Sequence, residues 1–313
     1  MSHSTRHVIL LALFLAFLTF PLIGQEVVFR SDTRLVVLHT TVVDRNGKLV
    51  TDLLQNAFKV YENNVEQEIR LFRHEDVPIS LGLVIDNSAS MRQKRQKVEA
   101  AALQLVKASN PQDEVFIVNF SDSAFLDCPF TNSIAKLQEG LARIDARGTT
   151  AMRDAIGMSI NYMKNNAKLD KKILLVVSDG DDNLSESTLE QVIRQAQQAE
   201  VLIYAIGLLG EEDRGSARQA QKAIDTITEA TGGESYYPKE LAEVDQFALR
   251  LAHEVRNQFT IGYSPSNQTL DGSLRQIRVA VDGPNRPVAR TRTGYYATPE
   301  PRAKPAVSGA PLK

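Results

Sequence analysis

Four continuous apolar runs in the middle of the chain alternate with segments whose apolar residues recur at helical spacing. Val98, Ala101, Ala102, Leu105 and Ala108 show that spacing between the first two runs. Strands that are apolar at every position are typical of a parallel sheet covered by helices on both faces. The pattern therefore predicts an α/β domain with a doubly wound, mostly parallel, Rossmann-like sheet over residues 78–258. Its strands are LGLVID (81–86), VFIVNF (115–120), ILLVVSD (173–179) and VLIYAIG (201–207).

The segments on both sides of this region have the apolar and turn residues of β structure. Before it, residues 35–43, 58–61 and 66–72 are predicted strands, with turns at 46–47 and 63–64. After it, FTIGY, LRQIRVAVDG and VARTRTGYY are strand-like. Neither flank is long enough for a comfortable core of its own. We therefore expect residues 25–77 and 259–297 to pack together as one β-sandwich that flanks the α/β domain.

The two ends of the chain differ from the rest in composition. Arg6 precedes an apolar run from Val8 to Ile23, which is typical of a secretory signal peptide. We predict a signal peptide over residues 1–24 and a secreted or periplasmic mature chain. The alternative is an uncleaved membrane anchor, although the run is short for a span of about 20 residues. Prolines and small residues predict a disordered tail over 298–313.

Charge and cysteine content narrow the range of functions. The formal net charge is −2 and no run of Lys and Arg stands out, which argues against nucleic acid as the main partner. Cys128 is the only cysteine, so no disulfide can form within the chain. The five histidines are scattered and form no zinc motif, and the chain lacks the glycine loops that bind nucleotides.

Oxygen-bearing side chains follow two of the predicted strands. Asp86, Ser88 and Ser90 alternate after the first strand, and Asp179 ends the third. Between them, RGTTAMRDAI (147–156) is a Gly-Thr loop that opens a helix. Ligands of α/β sheets bind beyond the carboxyl ends of the strands, and oxygen donors suit a hard cation such as Mg²⁺. Alone, the first motif favours a helix cap at Asp86 or Ser88; the three features together favour a cation site.

These motifs resemble the metal-ion-dependent adhesion site of von Willebrand factor A domains. The resemblance implies that the serine and threonine hydroxyls bind Mg²⁺, or else Mn²⁺ or Ca²⁺, directly, and that the aspartates do so directly or through water. The family often has Gly-Gly-Thr where this chain has Gly-Thr-Thr, so Thr149 stays an alternative to Thr150. The flanking segments are similar to a von Willebrand factor A-related family described from acidobacteria. The implied metal-site residues are Asp86, Ser88, Ser90, Thr150 and Asp179.

The resemblance implies an exported binding or adhesion module that engages a protein ligand through the bound cation, with the ligand supplying an acidic residue. We expect no enzymatic activity. One alternative is a magnesium-dependent phosphohydrolase, but Ser88 stands where such an enzyme needs a second aspartate as general acid. The other is a structural domain with a vacant metal site. Asp181 and Asp182 are predicted to form a solvated loop, because Leu184 stands where a calcium loop needs glycine.

Overall fold

The structure is a computed structural model that describes residues 34–142, 147–180, 182–209 and 214–299. The predicted signal peptide and nearly all of the predicted tail lie outside these residues. Within these ranges, no helix combines the length and the apolar composition that a membrane span requires.

Fourteen strands and six α-helices are present in the described part of the chain, together with three short 3₁₀ helices. The strands are β1 Val36–Val43, β2 Phe58–Glu62, β3 Val65–Gln67, β4 Ile69–Arg73, β5 Ile79–Asp86, β6 Glu114–Phe120, β7 Ala124–Thr131, β8 Lys171–Ser178, β9 Val201–Gly207, β10 Ser235–Tyr236, β11 Phe259–Tyr263, β12 Leu274–Val281, β13 Val288–Arg290 and β14 Gly294–Tyr296. The helices are α1 Arg95–Lys107, α2 Ile134–Ala142, α3 Met152–Asn166, α4 Leu189–Ala199, α5 Arg214–Thr231 and α6 Val244–Arg256. The 3₁₀ helices are Gln55–Ala57, Ala89–Gln93 and Leu241–Glu243.

The central sheet has the strand order β10-β9-β8-β5-β6-β7, and only β7 runs antiparallel to its neighbour. Leu83 and Ile117 pack on one face of the sheet with α1, α2 and α6. Val84 and Val118 pack on the other face with α3, α4 and α5. The predicted doubly wound, mostly parallel sheet is therefore confirmed.

Strands from both flanks form two further four-stranded sheets, in the orders β13-β1-β11-β4 and β14-β12-β2-β3. In the first sheet, β1 lies between β11 and β13, so N-terminal and C-terminal segments are direct neighbours. Leu38 and Ile261 of one sheet share a buried core with Val60 and Val279 of the other. The fold class is thus confirmed, including the flanking sandwich built from both ends of the chain.

Two predicted strands are each divided between the two sheets of this sandwich. Residues 66–72 form the end of β3 and most of β4, and the chain changes sheet at Glu68. Gln67 anchors the end of β3 because it exchanges two hydrogen bonds with Ser266, at 2.9 and 3.1 Å. The run 288–296 likewise divides into β13 and β14. The alternation of apolar and polar residues continues where the chain passes from one sheet to the other, so the sequence does not reveal the change of sheet.

A buried polar cluster joins the sandwich to the α/β domain. The carboxylate of Glu254, on α6, accepts hydrogen bonds from Tyr204 and Tyr236 at 3.0 Å and from Thr41 of β1 at 3.2 Å. It also forms an ion pair with Arg290 of β13. Burial alone would raise the pKa of Glu254, but Arg290 and these hydroxyl donors hold it below its usual value. The carboxylate is therefore charged and fully partnered where the two parts of the molecule meet.

Further contacts fix the segments near the junctions between the sandwich and the α/β domain. Arg256, at the end of α6, bonds to Asp76 in the linker before β5 and to Asp113 before β6, both at 2.5 Å. At the end of α5, Gly232 has a φ of +88°, and a Cβ there would lie 2.5 Å from the backbone nitrogen of Arg292. Only glycine allows this close approach, so the contact between α5 and the segment after β13 depends on it.

Replacing Glu254 by Gln should destabilise the protein by about 3 kcal/mol, because Arg290 would lose its main counter-ion in a buried setting. The effect should disappear as pH falls through the lowered pKa of Glu254, since the wild-type carboxylate is then protonated as well. Urea unfolding at neutral and acidic pH measures both effects. Glu240→Gln, at an exposed carboxylate, is the control and should change stability by less than about 0.5 kcal/mol. An equally small effect of Glu254→Gln would contradict the proposed role of the cluster.

Candidate metal centre

The first loop of the site follows β5 and is organised by the buried side chain of Asp86. Its Oδ1 accepts a hydrogen bond from the backbone N–H of Ser88 at 2.8 Å. Its Oδ2 accepts one from the hydroxyl of Ser178, the last residue of β8, at 2.6 Å. Ser88 precedes a 3₁₀ helix but makes no capping hydrogen bond with its side chain. The capping alternative for Asp86 and Ser88 therefore does not describe this loop.

A chain of short contacts links this loop to the carboxylate at the end of β8. The hydroxyls of Ser88 and Ser90 are 3.1 Å apart, and Ser90 donates to Oδ1 of Asp179 at 2.8 Å. The ammonium group of Lys94 lies 2.6 Å from Oδ2 of the same aspartate and 3.1 Å from the carbonyl oxygen of Leu208. The side chain of Asp179 is fully buried. Lys94, which belongs to none of the sequence motifs, thus supplies the positive charge beside this buried carboxylate.

The second loop, which leads into α3, docks directly on the first. The backbone N–H of Arg147 donates to the carbonyl of Asn87 at 3.0 Å, and that of Ala89 donates to the carbonyl of Gly148 at 3.3 Å. Gly148 has a φ of +80°, and a Cβ there would lie 2.6 Å from the carboxylate of Asp122. A side chain here would be strained and would displace Asp122, so glycine is favoured at this position.

The two threonines of the second loop have different surroundings. Thr149 donates from both its backbone nitrogen and its hydroxyl to Oδ1 of Asp122, each at 2.6 Å. Thr150 is buried, and a methyl group added at Gly180 would lie 3.8 Å from its hydroxyl oxygen. Asn183 exchanges hydrogen bonds with the backbone of Thr150, at 3.2 and 3.3 Å. The hydroxyl of Thr150 therefore lies next to the residue that follows Asp179, whereas that of Thr149 is held by Asp122.

The loop after β8 differs in part from its prediction. Asp181 lies outside the described residues, but Asp182 is not solvated: its side chain is 4% exposed. Asp182 accepts hydrogen bonds from the backbone N–H and the Nε of Arg153, at 2.6 and 3.0 Å. It thereby occupies the positive N-terminal end of α3. The prediction was wrong because the partner of Asp182 lies 29 positions earlier in the chain.

The structure thus brings together all five residues that the sequence analysis selected, on three interlocked loops at the carboxyl ends of β5 and β8. Burial raises the pKa of Asp86, and the charge of Asp179 acts in the same direction against hydrogen bonds from Ser178 and Ser88. Two carboxylates and three hydroxyls form an oxygen-only donor set, which fits a hard divalent cation. In the part of the chain that the structure describes, no three His, Cys, Asp or Glu side chains converge on one point.

Comparisons with known proteins point to one domain family. Residues 81–181 match the family model described as von Willebrand factor type A domain. Integrin alpha-11 from Mus musculus is 32% identical over 109 residues, which make up 33% of this chain and 9% of the integrin. An uncharacterised protein from Borreliella burgdorferi is 25% identical over 174 residues, or 54% of this chain and 50% of that protein. The matched part of the chain therefore spans half or less of the length of these relatives.

Solved structures of low sequence identity resemble the chain as well. The von Willebrand factor type A protein from Catenulispora acidiphila is 16% identical, with 86% of this chain and 64% of that chain covered and a TM-score of 0.49. The vWF domain of the pilus tip protein Mfa5 from Porphyromonas gingivalis is 14% identical, with 57% and 97% covered and a TM-score of 0.46. The family match covers most of β5, the first loop of the site and β8, and the observed sheet has the predicted doubly wound topology. The chain therefore contains a von Willebrand factor type A domain, whose family model matches residues 81–181.

Proposed function

We propose that this protein is an exported adhesion-type module that binds a protein ligand through one divalent cation, Mg²⁺ or alternatively Mn²⁺ or Ca²⁺. Asp86, Ser88, Ser90, Thr150 and Asp179 would hold the cation. The observation that carries the proposal is the convergence of two carboxylates with serine and threonine hydroxyls on three interlocked loops. The similarity to a protein named an integrin supports a binding role.

The contacts of the loops support Thr150 rather than Thr149 as the third hydroxyl ligand. The hydroxyl of Thr149 is engaged by Asp122 at 2.6 Å, whereas that of Thr150 lies beside the backbone that follows Asp179. Using Thr149 would require the loop to give up both hydrogen bonds to Asp122. Those two bonds lower the pKa of Asp122 and keep it charged, so they favour the present loop conformation.

In the proposed mechanism, the three loops align the donor oxygens that would hold the cation. Ser178 and the backbone of Ser88 fix both oxygens of Asp86, and Ser90 fixes one oxygen of Asp179. When bound, the cation would supply a Lewis-acidic position for an aspartate or glutamate of the partner. Because the serine and threonine hydroxyls are neutral, they would offset less of the cation's charge than further acidic ligands would. The cation would therefore attract a carboxylate of the partner more strongly. We propose no catalytic role, because no nucleophile with its base is assembled by these residues.

Replacing Asp86 by Ala should abolish Mg²⁺ binding, because it removes a charged donor and the acceptor that orders the first loop. Mg²⁺ should raise the melting temperature of the wild type by mass action, since the cation binds only the folded state. Thr150→Ala should weaken binding less, because it removes one neutral oxygen. Calorimetry and thermal melts with Mg²⁺ or EDTA measure both effects.

Thr149→Ala is the matched control for these variants, since it changes the neighbouring residue of the same loop. It should bind Mg²⁺ with nearly wild-type affinity. Equal Mg²⁺ stabilisation of the wild type and Asp86→Ala would falsify the metal site. Loss of binding in Thr149→Ala but not in Thr150→Ala would identify Thr149 as the third hydroxyl ligand.

Replacing Lys94 by Met should strengthen Mg²⁺ binding at least about tenfold, or by about 1.4 kcal/mol. Its ammonium group lies 2.6 Å from Asp179 and therefore repels a second positive charge at the same carboxylate. The metal-free variant should melt at a lower temperature than the wild type, because Asp179 would be buried without a counter-ion. The rise in melting temperature with Mg²⁺ should then exceed that of the wild type. Unchanged or weaker Mg²⁺ binding would show that Lys94 does not compete with the cation.

We also propose that the chain is exported by a signal peptide over residues 1–24 and that residues 25–77, 78–258 and 259–297 are its structural segments. The support is the apolar run after Arg6. N-terminal sequencing of the natural protein should give a mature chain that starts near Gln25, outside the cytoplasm. A retained Met1 in a membrane fraction would indicate an anchor instead.

A further inference from the structure

A cavity of about 470 Å³ lies between the sandwich and the α/β domain, at the opposite end of the central sheet from the candidate metal centre. Its sandwich wall is the outer face of the first sheet, where Val37, His39 and Thr260 line it. Its other wall consists of the first residues of β8 and β9 and the ends of α4 and α5. The length of β8, roughly 23 Å at about 3.3 Å per residue, separates the cavity from Asp179. The volume falls within the range of about 300–1,000 Å³ that is usual for small-molecule sites.

The lining of this cavity is mainly apolar, yet two nearly buried cations lie in it. Apolar side chains such as Leu71, Leu169 and Leu202 supply part of the surface, and the carbon atoms of the polar residues add to it. Lys171 is 4% exposed and donates one hydrogen bond, to the carbonyl oxygen of Val255 at 2.5 Å. A buried ammonium group is unfavourable unless it is paired. An apolar cavity with a buried cation in its wall suits a ligand that has an apolar body and one negative group.

Arg292 supplies the second cation, and its side chain is 9% exposed. Its Nη2 donates to the carbonyl oxygen of Val37 and forms an ion pair with Glu200, each at 3.0 Å. Its Nε and Nη1 are buried and have no hydrogen-bond partner among the residues that the structure describes. Buried guanidinium donors are rarely left unpaired in folded proteins, and an anion in the cavity would pair with these two once the side chain turned toward it.

The remaining charges of the lining also favour an anion over a cation. Arg73 is 3.5 Å from Glu75, and Arg292 is paired with Glu200, so these four charges balance. The rest of the charged lining is Lys171, Lys172 and Asp170. Burial and the nearby lysines and Arg292 lower the pKa of His39 to about 3, which keeps that ring neutral. With Lys171 in its ammonium form, the lining thus has one more positive than negative charge.

We propose that this cavity is a binding site for a small amphipathic carboxylate, with its apolar chain between the two walls and its carboxylate at Lys171 and Arg292. Burial and Arg256 lower the pKa of Lys171 to about 7 in the free protein. Asp76, Asp113 and Glu254 act in the opposite direction on this pKa, and a bound carboxylate would add to their effect and stabilise the ammonium form. The site is independent of the candidate metal centre, so the proposal stands or fails separately from the adhesion function.

Titration of the full mature chain with octanoate and with octanol, in EDTA, tests the proposal without any variant. Calorimetry and amide chemical shifts should show that octanoate binds at least about tenfold more tightly than octanol, a difference of about 1.4 kcal/mol. The shifts should concentrate at His39, Lys171 and Thr260. Equal binding of the two probes, or no octanoate binding at millimolar concentration, would overturn the proposal.

Three variants locate the site. Lys171→Met keeps the length of the side chain, and replacing a buried charge by an apolar group is often tolerated; it should reduce octanoate binding to the level of octanol. Thr260→Phe should fill the cavity and abolish binding of both probes. Arg278→Gln, on the other sheet of the sandwich where Arg278 stacks on Tyr61, is the control and should bind octanoate like the wild type. Wild-type octanoate binding by Lys171→Met would exclude this cavity as the carboxylate site.

Discussion

One buried carboxylate, that of Glu254, holds the sandwich and the α/β domain together. It lies on the last helix of the α/β domain and is satisfied by tyrosines of the central sheet, by Thr41 of the first strand and by Arg290 of a late strand. A charged group at this depth is tolerated only when every partner is in place. The cluster therefore links correct assembly of the sandwich to correct packing of α6. Apolar contacts alone would tolerate small shifts between the two parts, whereas this network specifies one arrangement.

The candidate metal centre follows the same principle of assembly by mutual support. None of its three loops is held by its own residues alone: the first two exchange backbone hydrogen bonds, and Asn183 ties the third to Thr150. Asp182 and Arg153 fix the start of α3 behind them. The donor oxygens are thus aligned by the scaffold, and Lys94 balances Asp179. A cation that entered this site would have to compete with that ammonium group for the carboxylate.

The sequence was informative where the signal is local and uninformative where the partner is distant. The four central strands are continuous apolar runs, and the residues of the first loop form one short motif, so both could be predicted. Lys94 stands in a polar run with nothing to distinguish it from Lys97, and its role follows from Asp179, 85 positions later. In the sequence, Glu254 likewise cannot be distinguished from the other polar residues of an amphipathic helix. The strand β7 contains Asp127 and Pro129 and lacks a regular alternation of apolar and polar residues. A strand at the edge of a sheet tolerates such residues.

The two chain connections of the α/β domain have a mechanical consequence. Both the segment between β4 and β5 and the segment between α6 and β11 leave from the end of the central sheet that is opposite the candidate metal centre. A pull on a partner at the top of the domain would therefore run lengthwise through the parallel strands and divide between two tethers. The hydrogen bonds between β5 and β8 would bear a shear force directed along the strands, and many of them would have to break at the same time. This geometry would make the domain resistant to tension along this axis.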